Sequence, residues 1–317
     1  MNILSSLRYL VALNEHRHFG RAAQACHITQ PALSNAIRAL EDEFKVAIVR
    51  RDRAFVGLTP EGERVLACAQ RMLHEHANLQ QELLSEIDRP QGALRIAAVP
   101  TAMPVAARFA AMLQTRHPGI QPTVLSLSSV ALEQGLEDLS LDLALGYSDR
   151  LRACDGRLQL MPQYTEHYFM LRQVSGTPRR KSPGLRLGEP LHWREAAQMP
   201  QCLLTPDMHN RAIVDAAFHA AGVQPTVAME SNSVLTLLLS VQAGALCAVL
   251  PGALVDTVRS HSGLEALPLV DPDVRTPIAM ISHALARPSR ALSAALSLAG
   301  DPLWLAQASA HTGPLVQ

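Results

Sequence analysis

The sequence has few aromatic residues and no long apolar run. Aromatic side chains make up 4% of its 317 residues, and there is no uninterrupted apolar stretch of the roughly 18 residues that a membrane span needs. The first residues also lack the charged and apolar regions of a secretory signal peptide. These absences argue against export and membrane insertion, so we expect a cytoplasmic protein. The apolar content of 48% is still enough for sizeable cores.

Cysteine is scarce and scattered. The five cysteines are odd in number and never form a C-x-x-C pair, which argues against a disulfide framework and against a zinc site. We expect reduced thiols and no bound metal. They are Cys26, Cys68, Cys154, Cys202 and Cys247.

The motifs of common enzymes are also missing. The chain contains no G-x-S-x-G, H-E-x-x-H, G-x-G-x-x-G or phosphate-binding Walker loop. His74 and His76 flank Glu75, but residues two apart on a helix point to different faces and do not form a ligand pair. We therefore expect neither catalytic residues nor a cofactor.

The formal net charge is zero, so any attraction to nucleic acid must come from a local excess of basic residues. Such an excess occurs at the N-terminus, where residues 1–59 contain eight basic and five acidic side chains. The same region contains "FGRAAQACHITQPALSNAIRALEDEF", in which two helix-patterned segments meet at a tight turn. Ala22, Ala23 and Ala25 allow the helices to approach closely, and Thr29 is a suitable N-cap for the second helix.

The second helix has one apolar face and one polar face. Leu33, Ile37, Leu40 and Phe44 recur at helical spacing and predict the buried face. The other face carries amide, hydroxyl and guanidinium groups, which suit the base edges and phosphates of a DNA major groove. Polar residues on an outer face are often only solvated, and this alternative stays open for a bare helix-turn-helix. The candidate DNA-binding residues are Thr29, Gln30, Pro31, Ser34, Asn35 and Arg38, with Arg50, Arg51 and Arg53 beyond the helix.

A long amphipathic helix and then an α/β pattern follow. "TPEGE" begins the helix with Thr59 as N-cap and Pro60 in the first position, and an apolar stripe from Val65 to Leu83 predicts pairing with another helix. After the hinge at "RPQG", strand-like segments such as "LRIAAV" and "LDLALGY" alternate with helical ones. This alternation is typical of α/β domains with mostly parallel sheets.

The stretch "FGRAAQACHITQPALSNAIRALEDEFKVAIVRRDRAFVGLTPEGE" resembles the winged helix-turn-helix of the LysR-type transcriptional regulators. Further segments, "SLDLALGY" and "LLLSVQAGALCAVLP", are similar to parts of that family's effector domain. The resemblance covers nearly the whole chain. Three positions depart from the family pattern: Asn35 stands where Arg is usual, Lys45 where Gly is common, and Val49 where Phe usually packs under the wing.

The resemblance implies an N-terminal all-α winged helix-turn-helix with a long linker helix. It also implies a C-terminal α/β effector domain of two Rossmann-like subdomains, similar to periplasmic binding proteins. The implied boundaries are 1–58 for the DNA-binding domain, 59–88 for the dimerisation helix, 89–93 for the hinge and 94–317 for the effector domain. Within the last, subdomain I spans about 94–161 and 269–300, and subdomain II about 162–268.

The resemblance further implies a regulator without enzymatic activity. Its linker helices pair antiparallel, its dimers associate into tetramers, and it binds a pseudo-palindromic operator where RNA polymerase acts. A small molecule, expected to be an organic carboxylate or an inorganic anion, switches binding from the cleft between the subdomains. A thiol redox sensor of the same family that uses Cys202 with another cysteine is the alternative, and an enzyme built on the α/β domain is a more distant one.

Effector-binding residues are expected where strands end and helices begin, because free N–H groups there favour anions. Thr101 and Ser128 fulfil this condition and match effector-contacting positions of the resembled family. Helix capping alone would also explain such hydroxyl groups. The full candidate set is Thr101, Ser128, Thr205, Ser231 and Asn232. The loop at 175–188 is basic and is predicted to be exposed, without an assigned role.

Overall fold

The computed structural model describes residues 2–51, 55–84, 89–150, 157–174, 184–284, 288–310 and 312. The chain forms two compact units, the first mainly residues 1–86 and the second mainly residues 87–317. Arg53 and the loop residues 175–183 lie outside the described residues, as do residues 85–88 at the end of the predicted linker helix.

The first unit is a helical bundle with a two-stranded wing. Leu10, Leu33 and Ile37 are fully buried at its centre, because three helices turn their apolar faces towards one another. Its elements are α1 (Ile3–His16), α2 (Phe19–Ala25), α3 (Gln30–Phe44), β1 (Val49–Arg51), β2 (Phe55–Leu58) and α4 (Pro60–Leu84).

Two details of the helix pair differ from the sequence-based expectation. Ala22 and Ala23 are buried, but Ala25 is exposed because α2 ends there. Phe44 was expected in the buried face of α3, yet it is 41% exposed. Helix α3 ends at Phe44, since Lys45 adopts the left-handed conformation with φ 56°, so the buried face already ends at Leu40.

Helix α4 begins as predicted. Thr59 accepts a hydrogen bond from the backbone N–H of Gly62 at 2.9 Å, and Pro60 is the first helical residue. A Cβ on Gly62 would lie 2.1 Å from the carbonyl oxygen of Ile48. Glycine at this position therefore lets the helix start directly against the residue that precedes β1.

The second unit is built on a mixed nine-stranded sheet and a pair of strands beside it. The strands of the large sheet lie in the order Ile120–Ser126, Gly92–Ala98, Leu143–Tyr147, Arg275–His283, Leu158–Gln173, Leu264–Val270 and Arg186–Leu187. Two short strands are added to it, Ala248–Pro251 on Leu158–Gln173 and Leu191–His192 on Leu264–Val270. The elements up to the middle of the unit are β3 (Gly92–Ala98), a 3-10 turn (Pro100–Ala102), α5 (Met103–Arg116), β4 (Ile120–Ser126), α6 (Ser129–Glu137), β5 (Leu143–Tyr147) and β6 (Leu158–Gln173).

The remaining elements complete a second α/β layer and then return to the first. They are β7 (Arg186–Leu187), β8 (Leu191–His192), α7 (Trp193–Ala196), β9 (Pro200–Leu204), α8 (His209–Ala220), β10 (Thr226–Ser231), α9 (Val234–Ala243), β11 (Ala248–Pro251), α10 (Gly252–Thr257), β12 (Leu264–Val270), β13 (Arg275–His283), α11 (Arg290–Ala299) and α12 (Pro302–Ala310).

Strand β6 joins the two halves of this unit. Its first part, to His167, pairs with β13, and its second part, from Tyr168, pairs with β11 and β12. The chain crosses back between β12 and β13. Two crossover segments therefore connect the two α/β halves of this unit, which we call subdomains, and we refer to the region where they cross as the cleft.

Candidate DNA interface and effector cleft

Helix α3 presents a polar face to solvent. Leu33, Ile37 and Leu40 are fully buried, so the opposite side of the helix must face outward. Gln30, Pro31, Asn35 and Arg38 are exposed and Ser34 is half-exposed. Thr29 caps the helix, since its hydroxyl accepts a hydrogen bond from the backbone N–H of Ala32 at 3.4 Å.

This face can supply groups of two kinds. Amide and hydroxyl groups of Gln30, Ser34 and Asn35 can read base edges, and the guanidinium of Arg38 can contact a phosphate. Within the described part of the chain, none of these four side chains has a hydrogen bond or an ion pair that would occupy it. The predicted candidates on α3 therefore lie together and are free for DNA.

The wing adds basic residues next to this helix. Arg50 is exposed on β1 and lies opposite Gly57 on β2, and Arg51 lies opposite Phe55. Glu41 of α3 fixes the base of the wing by accepting the backbone N–H groups of Ile48 and Val49 at 3.0 and 3.1 Å. The carboxylate therefore fixes the distance between the recognition helix and the wing.

Helix α4 has an apolar stripe that the described chain leaves uncovered. Ala69 is fully buried against the bundle, but Met72, Leu79 and Leu83 are 42%, 54% and 78% exposed. The three exposed side chains recur seven and four residues apart and thus lie on one face. Such a stripe is typical of a helix that pairs with a second copy.

The effector candidates separate into two groups. Thr101 is buried, and its hydroxyl lies 2.9 Å from the Tyr147 hydroxyl. Ser128 is half-buried and caps α6 by accepting the N–H of Ala131 at 3.3 Å. On the other subdomain, Thr205 and Ser231 come together, since the N–H of Thr205 donates to the Ser231 carbonyl at 3.2 Å.

The remaining residues of the second group differ in whether their side chains are already hydrogen-bonded. The Ser231 hydroxyl accepts a hydrogen bond from the backbone N–H of Ser233 at 3.1 Å, so it stabilises a local turn. Asn232 is exposed. The Thr205 hydroxyl oxygen is buried and makes no hydrogen bond to the described residues, so it is free to bind a ligand.

A buried network of hydroxyl groups connects the two subdomains. The amide nitrogen of Asn210, at the start of α8, donates to the hydroxyls of Tyr147 and Tyr168 at 3.3 and 3.1 Å. Tyr168 in turn lies 3.2 Å from the hydroxyl of Thr276 on β13. With Thr101, these groups form one chain of hydrogen bonds across the cleft, which we call the cleft network.

Glu166 lies beside this network on strand β6. Its side chain is fully buried, and neither carboxyl oxygen makes a well-formed hydrogen bond to the described residues. Burial raises the pKa of this carboxyl to about 8, although the nearby Thr101 hydroxyl lowers it in part. Glu166 is therefore predominantly protonated at neutral pH in this state of the cleft.

The rim of the cleft contains a charged pair. Arg150 forms an ion pair with Glu133 at 2.8 Å, and its Nη1 lies 3.5 Å from Nδ1 of His209. Burial and the neighbouring Arg150 lower the pKa of His209, so its ring is neutral at pH 7. The ring packs edge-on against Tyr147 with a centroid distance of 4.8 Å.

Sequence reasoning missed most of these residues. Tyr147, Tyr168, Asn210 and Glu166 belong to no short motif, and they come together only through the fold. One signal was available: in "YTEHY", alternating residues of a strand place Tyr164, Glu166 and Tyr168 on one face. A carboxyl group on an otherwise buried strand face is a site candidate.

Comparison with known proteins places both units in one family. Residues 4–63 match the family model described as "Bacterial regulatory helix-turn-helix protein, lysR family", and residues 88–302 match the LysR substrate binding domain. The chain belongs to the LysR family of transcriptional regulators. This is a non-enzymatic family of DNA-binding proteins, and the fold class predicted from the sequence is confirmed.

Individual LysR relatives are similar to this chain over most of their length. The chain is 28% identical over 293 residues to the DNA-binding transcriptional dual regulator OxyR of Escherichia coli, with 89% of each chain covered. The structure of a full-length OxyR variant from Pseudomonas aeruginosa has a TM-score of 0.65, 25% identity and coverage of 93% of this chain and 96% of that one. The structure of full-length CbnR complexed with its target DNA has a TM-score of 0.64 and 17% identity, and the match covers 96% of this chain and 99% of that one.

Neither a metal cluster nor a membrane-spanning helix occurs among the residues that the structure describes. No group of three or more His, Cys, Asp or Glu side chains there is arranged to hold a metal ion. No described helix is both long and apolar enough to cross a bilayer.

Two cysteines are buried among the described residues of this LysR protein, Cys202 and Cys247. The N–H of Cys202 donates to the carbonyl of Cys247 at 2.8 Å, so their backbones are adjacent. Their side chains nevertheless enter different cores, Cys202 with Leu237 and Cys247 with Trp193. Burial raises the pKa of both thiols, which disfavours the reactive thiolate.

Replacing Gln30 by Ala is expected to reduce discrimination between operator and random DNA by roughly 1–3 kcal/mol. The amide of Gln30 is exposed at the start of the recognition helix and can pair with a base edge. Replacing Arg50 by Ala is the matched control, because loss of a phosphate contact weakens binding to all sequences and reduces its salt dependence. Competition binding at several salt concentrations separates the two effects. Unchanged operator preference in Gln30→Ala would show that this face does not read the sequence.

Replacing Asn35 by Arg is expected to raise general DNA affinity and shift one preferred base from adenine towards guanine. Asn35 is exposed in the middle of α3, and Asn pairs best with adenine whereas Arg pairs with guanine. Selection of preferred sites from a randomised DNA pool, run with both proteins, measures the change. Identical preferences at every position would leave Asn35 as a solvated residue.

Proposed function

We propose that this LysR-family regulator binds a pseudo-palindromic operator as a dimer and that a small molecule in the cleft switches this binding. The observation that carries the proposal is the cleft network. Asn210 of one subdomain donates to Tyr147 of the other, so a molecule that enters between them must separate or reorder the two subdomains. That movement changes the angle between them and, with it, the bend of the bound DNA and the access of RNA polymerase.

Dimerisation in this proposal uses the exposed stripe of α4. An antiparallel pair of these helices covers Met72, Leu79 and Leu83 and places one recognition helix on each half-site. A second apolar surface supports tetramers: Leu235 and Leu239, one turn apart on α9, are 63% and 52% exposed. Operator spacing then reflects the two-fold symmetry of the dimer.

The proposed effector carries an anionic group, as an organic carboxylate or an inorganic anion does. Ser128 at the start of α6 and the free hydroxyl of Thr205 offer hydrogen-bond donors. Arg150 at the rim supplies positive charge, although Glu133 competes for it. Thr101 supports the site from behind through its contact with Tyr147.

The test is operator binding combined with thermal stability. Small carboxylates and inorganic anions are added to the purified full-length protein, since a ligand that binds only the native state raises the melting temperature. The expected result is that an anion that stabilises the protein also changes operator affinity or DNA bending. Stabilisation without any change in the DNA complex would contradict the switch.

A thiol-based redox sensor is the second candidate function, because OxyR is among the relatives. The relatives include proteins named hydrogen peroxide-inducible genes activators. The side chains of Cys202 and Cys247 lie in different cores, and burial raises the pKa of both thiols. Both observations weigh against a disulfide between them. Peptide mass spectrometry after peroxide treatment decides the question. We expect Cys202 to remain a thiol, and a sulfenate or disulfide at Cys202 would favour the sensor.

A further inference from the structure

Glu166 is a buried carboxyl with no positive partner among the described residues. It lies at the crossover of the two subdomains, where it pairs in register with Thr276 of β13. Neither oxygen makes a well-formed hydrogen bond to the described residues, although the nearby Thr101 hydroxyl lowers the pKa of the carboxyl in part, and no described cation does so. A buried carboxylate is costly unless a cation or donor compensates it. Among the described residues the Thr101 hydroxyl is a nearby donor but no cation lies beside Glu166, so the cation that compensates its ionised form can come from a ligand.

Three of the four tyrosines in the sequence surround this carboxyl. Tyr164 and Tyr168 flank it on the same face of β6, and Tyr147 approaches from β5. All three phenols are buried and have raised pKa values, caused mainly by burial and then by the charge of Glu166. They therefore stay neutral, and Asp149 further out adds negative rather than positive charge. Aromatic rings close to a carboxylate suit an ammonium group.

Free hydrogen-bond donors lie on the other side of the same network. A guanidinium can only donate, so the contact of Arg150 with Nδ1 of His209 makes that nitrogen the acceptor. Because the ring is neutral, its hydrogen is then on Nε2, which is buried and has no partner among the described residues. The hydroxyl of Thr205, just before α8, is likewise buried and unpaired within the described chain. Both groups can donate to a carboxylate.

We propose that the cleft binds a free amino acid, with its ammonium group at Glu166 and its carboxylate at His209 and Thr205. This inference rests on the proposed function and adds to it the chemical class of the effector. Entry of the ligand replaces the contacts that Asn210 makes with Tyr147 and Tyr168. The effector thus exchanges one set of links between the subdomains for another.

The first test compares matched ligands. The full-length protein is melted with the common L-amino acids, with their N-acetyl derivatives and with the corresponding 2-hydroxy acids, each at millimolar concentration. We expect at least one amino acid to raise the melting temperature and its two analogues, which lack the ammonium group, to have no such effect. Equal stabilisation by the analogues, or no stabilisation by any amino acid, overturns the proposal.

The second test uses variants. In Glu166→Gln the affinity for the stabilising amino acid is expected to fall by about 10- to 100-fold, because a charge-assisted contact is lost. Glu189→Gln removes an exposed carboxyl outside the network and is the matched control. Operator binding by each variant shows that it is folded. Unchanged affinity in a folded Glu166→Gln protein contradicts the role of Glu166.

A third measurement needs no variant. Glu166 holds a proton in the free protein because its pKa is about 8, and it must ionise to bind an ammonium group. Calorimetry near pH 7 in two buffers of different protonation enthalpy should therefore detect release of about one proton per bound amino acid. Binding without proton release overturns the proposal.

If simple carboxylates or inorganic anions bind and alter operator binding while amino acids do not, the amino-acid inference fails and the proposed function stands. If no compound of either class does so, both fail.

Discussion

Replacing Met72 and Leu79 together by Glu is expected to lower operator affinity by at least about 100-fold, because each substitution buries an unpaired charge in the dimer. Both side chains are substantially exposed in the single chain. The fold of one subunit should therefore change little, since exposed substitutions usually alter stability by about 0.5 kcal/mol or less. A monomer binds only one half-site and loses the contribution of the second.

Sedimentation and operator binding measure this effect together. The control is Ala77→Glu, which adds a charge at an exposed position of the same helix outside the stripe. It should leave both the dimer and the operator complex intact. A double variant that remains dimeric and binds the operator normally would show that α4 does not form the interface.

Replacing Glu166 by Gln is expected to remove a pH-dependent loss of stability. The folded-state pKa of Glu166, about 8, lies above the ordinary value of 4.5. Folding therefore retains a proton that the unfolded chain gives up, and this contribution to stability is fully present below about pH 4.5. It decreases as the pH rises and is lost above about pH 8. The full difference is at most about 5 kcal/mol.

Urea unfolding of the wild type and the variant between pH 5 and pH 9 measures this difference. We expect the stability of Glu166→Gln relative to wild type to increase steadily from pH 5 to pH 8 and then stay constant. The slope is the informative quantity, because the new amide also changes local hydrogen bonding at every pH. Parallel stability curves for the two proteins would mean that Glu166 has an ordinary pKa.

The helical features near the N-terminus were predictable because they depend on local interactions. Thr29 and Thr59 cap their helices as expected, and Leu33, Ile37 and Leu40 are buried as their spacing predicted. The prediction for Phe44 was wrong. The helical spacing of apolar residues includes Phe44, but the helix ends at that residue, and Lys45 caps it without the glycine that usually marks a helix end in a sequence.

The interior of the cleft was much less predictable. Tyr147, Glu166 and Asn210 are distant in sequence and meet only because β6 crosses both subdomains. No spacing rule connects such residues, whereas hydroxyls at strand ends, such as Thr101 and Ser128, follow a known pattern of open α/β sheets. The sequence therefore pointed to hydroxyl groups at the strand ends, and the three-dimensional structure was needed to find the buried carboxyl beside them.

Selection of bound sites from a randomised duplex DNA pool by the full-length protein tests most directly whether a dimer reads the operator through α3. A dimer that reads DNA through two α3 helices should select a pseudo-palindrome, with two half-sites in inverted orientation separated by about one helical turn or a multiple of it. Gln30→Ala should bind the same pool with weaker sequence preference. Recovery of a single unpaired half-site, or of no preferred sequence at all, would contradict operator recognition by a dimer.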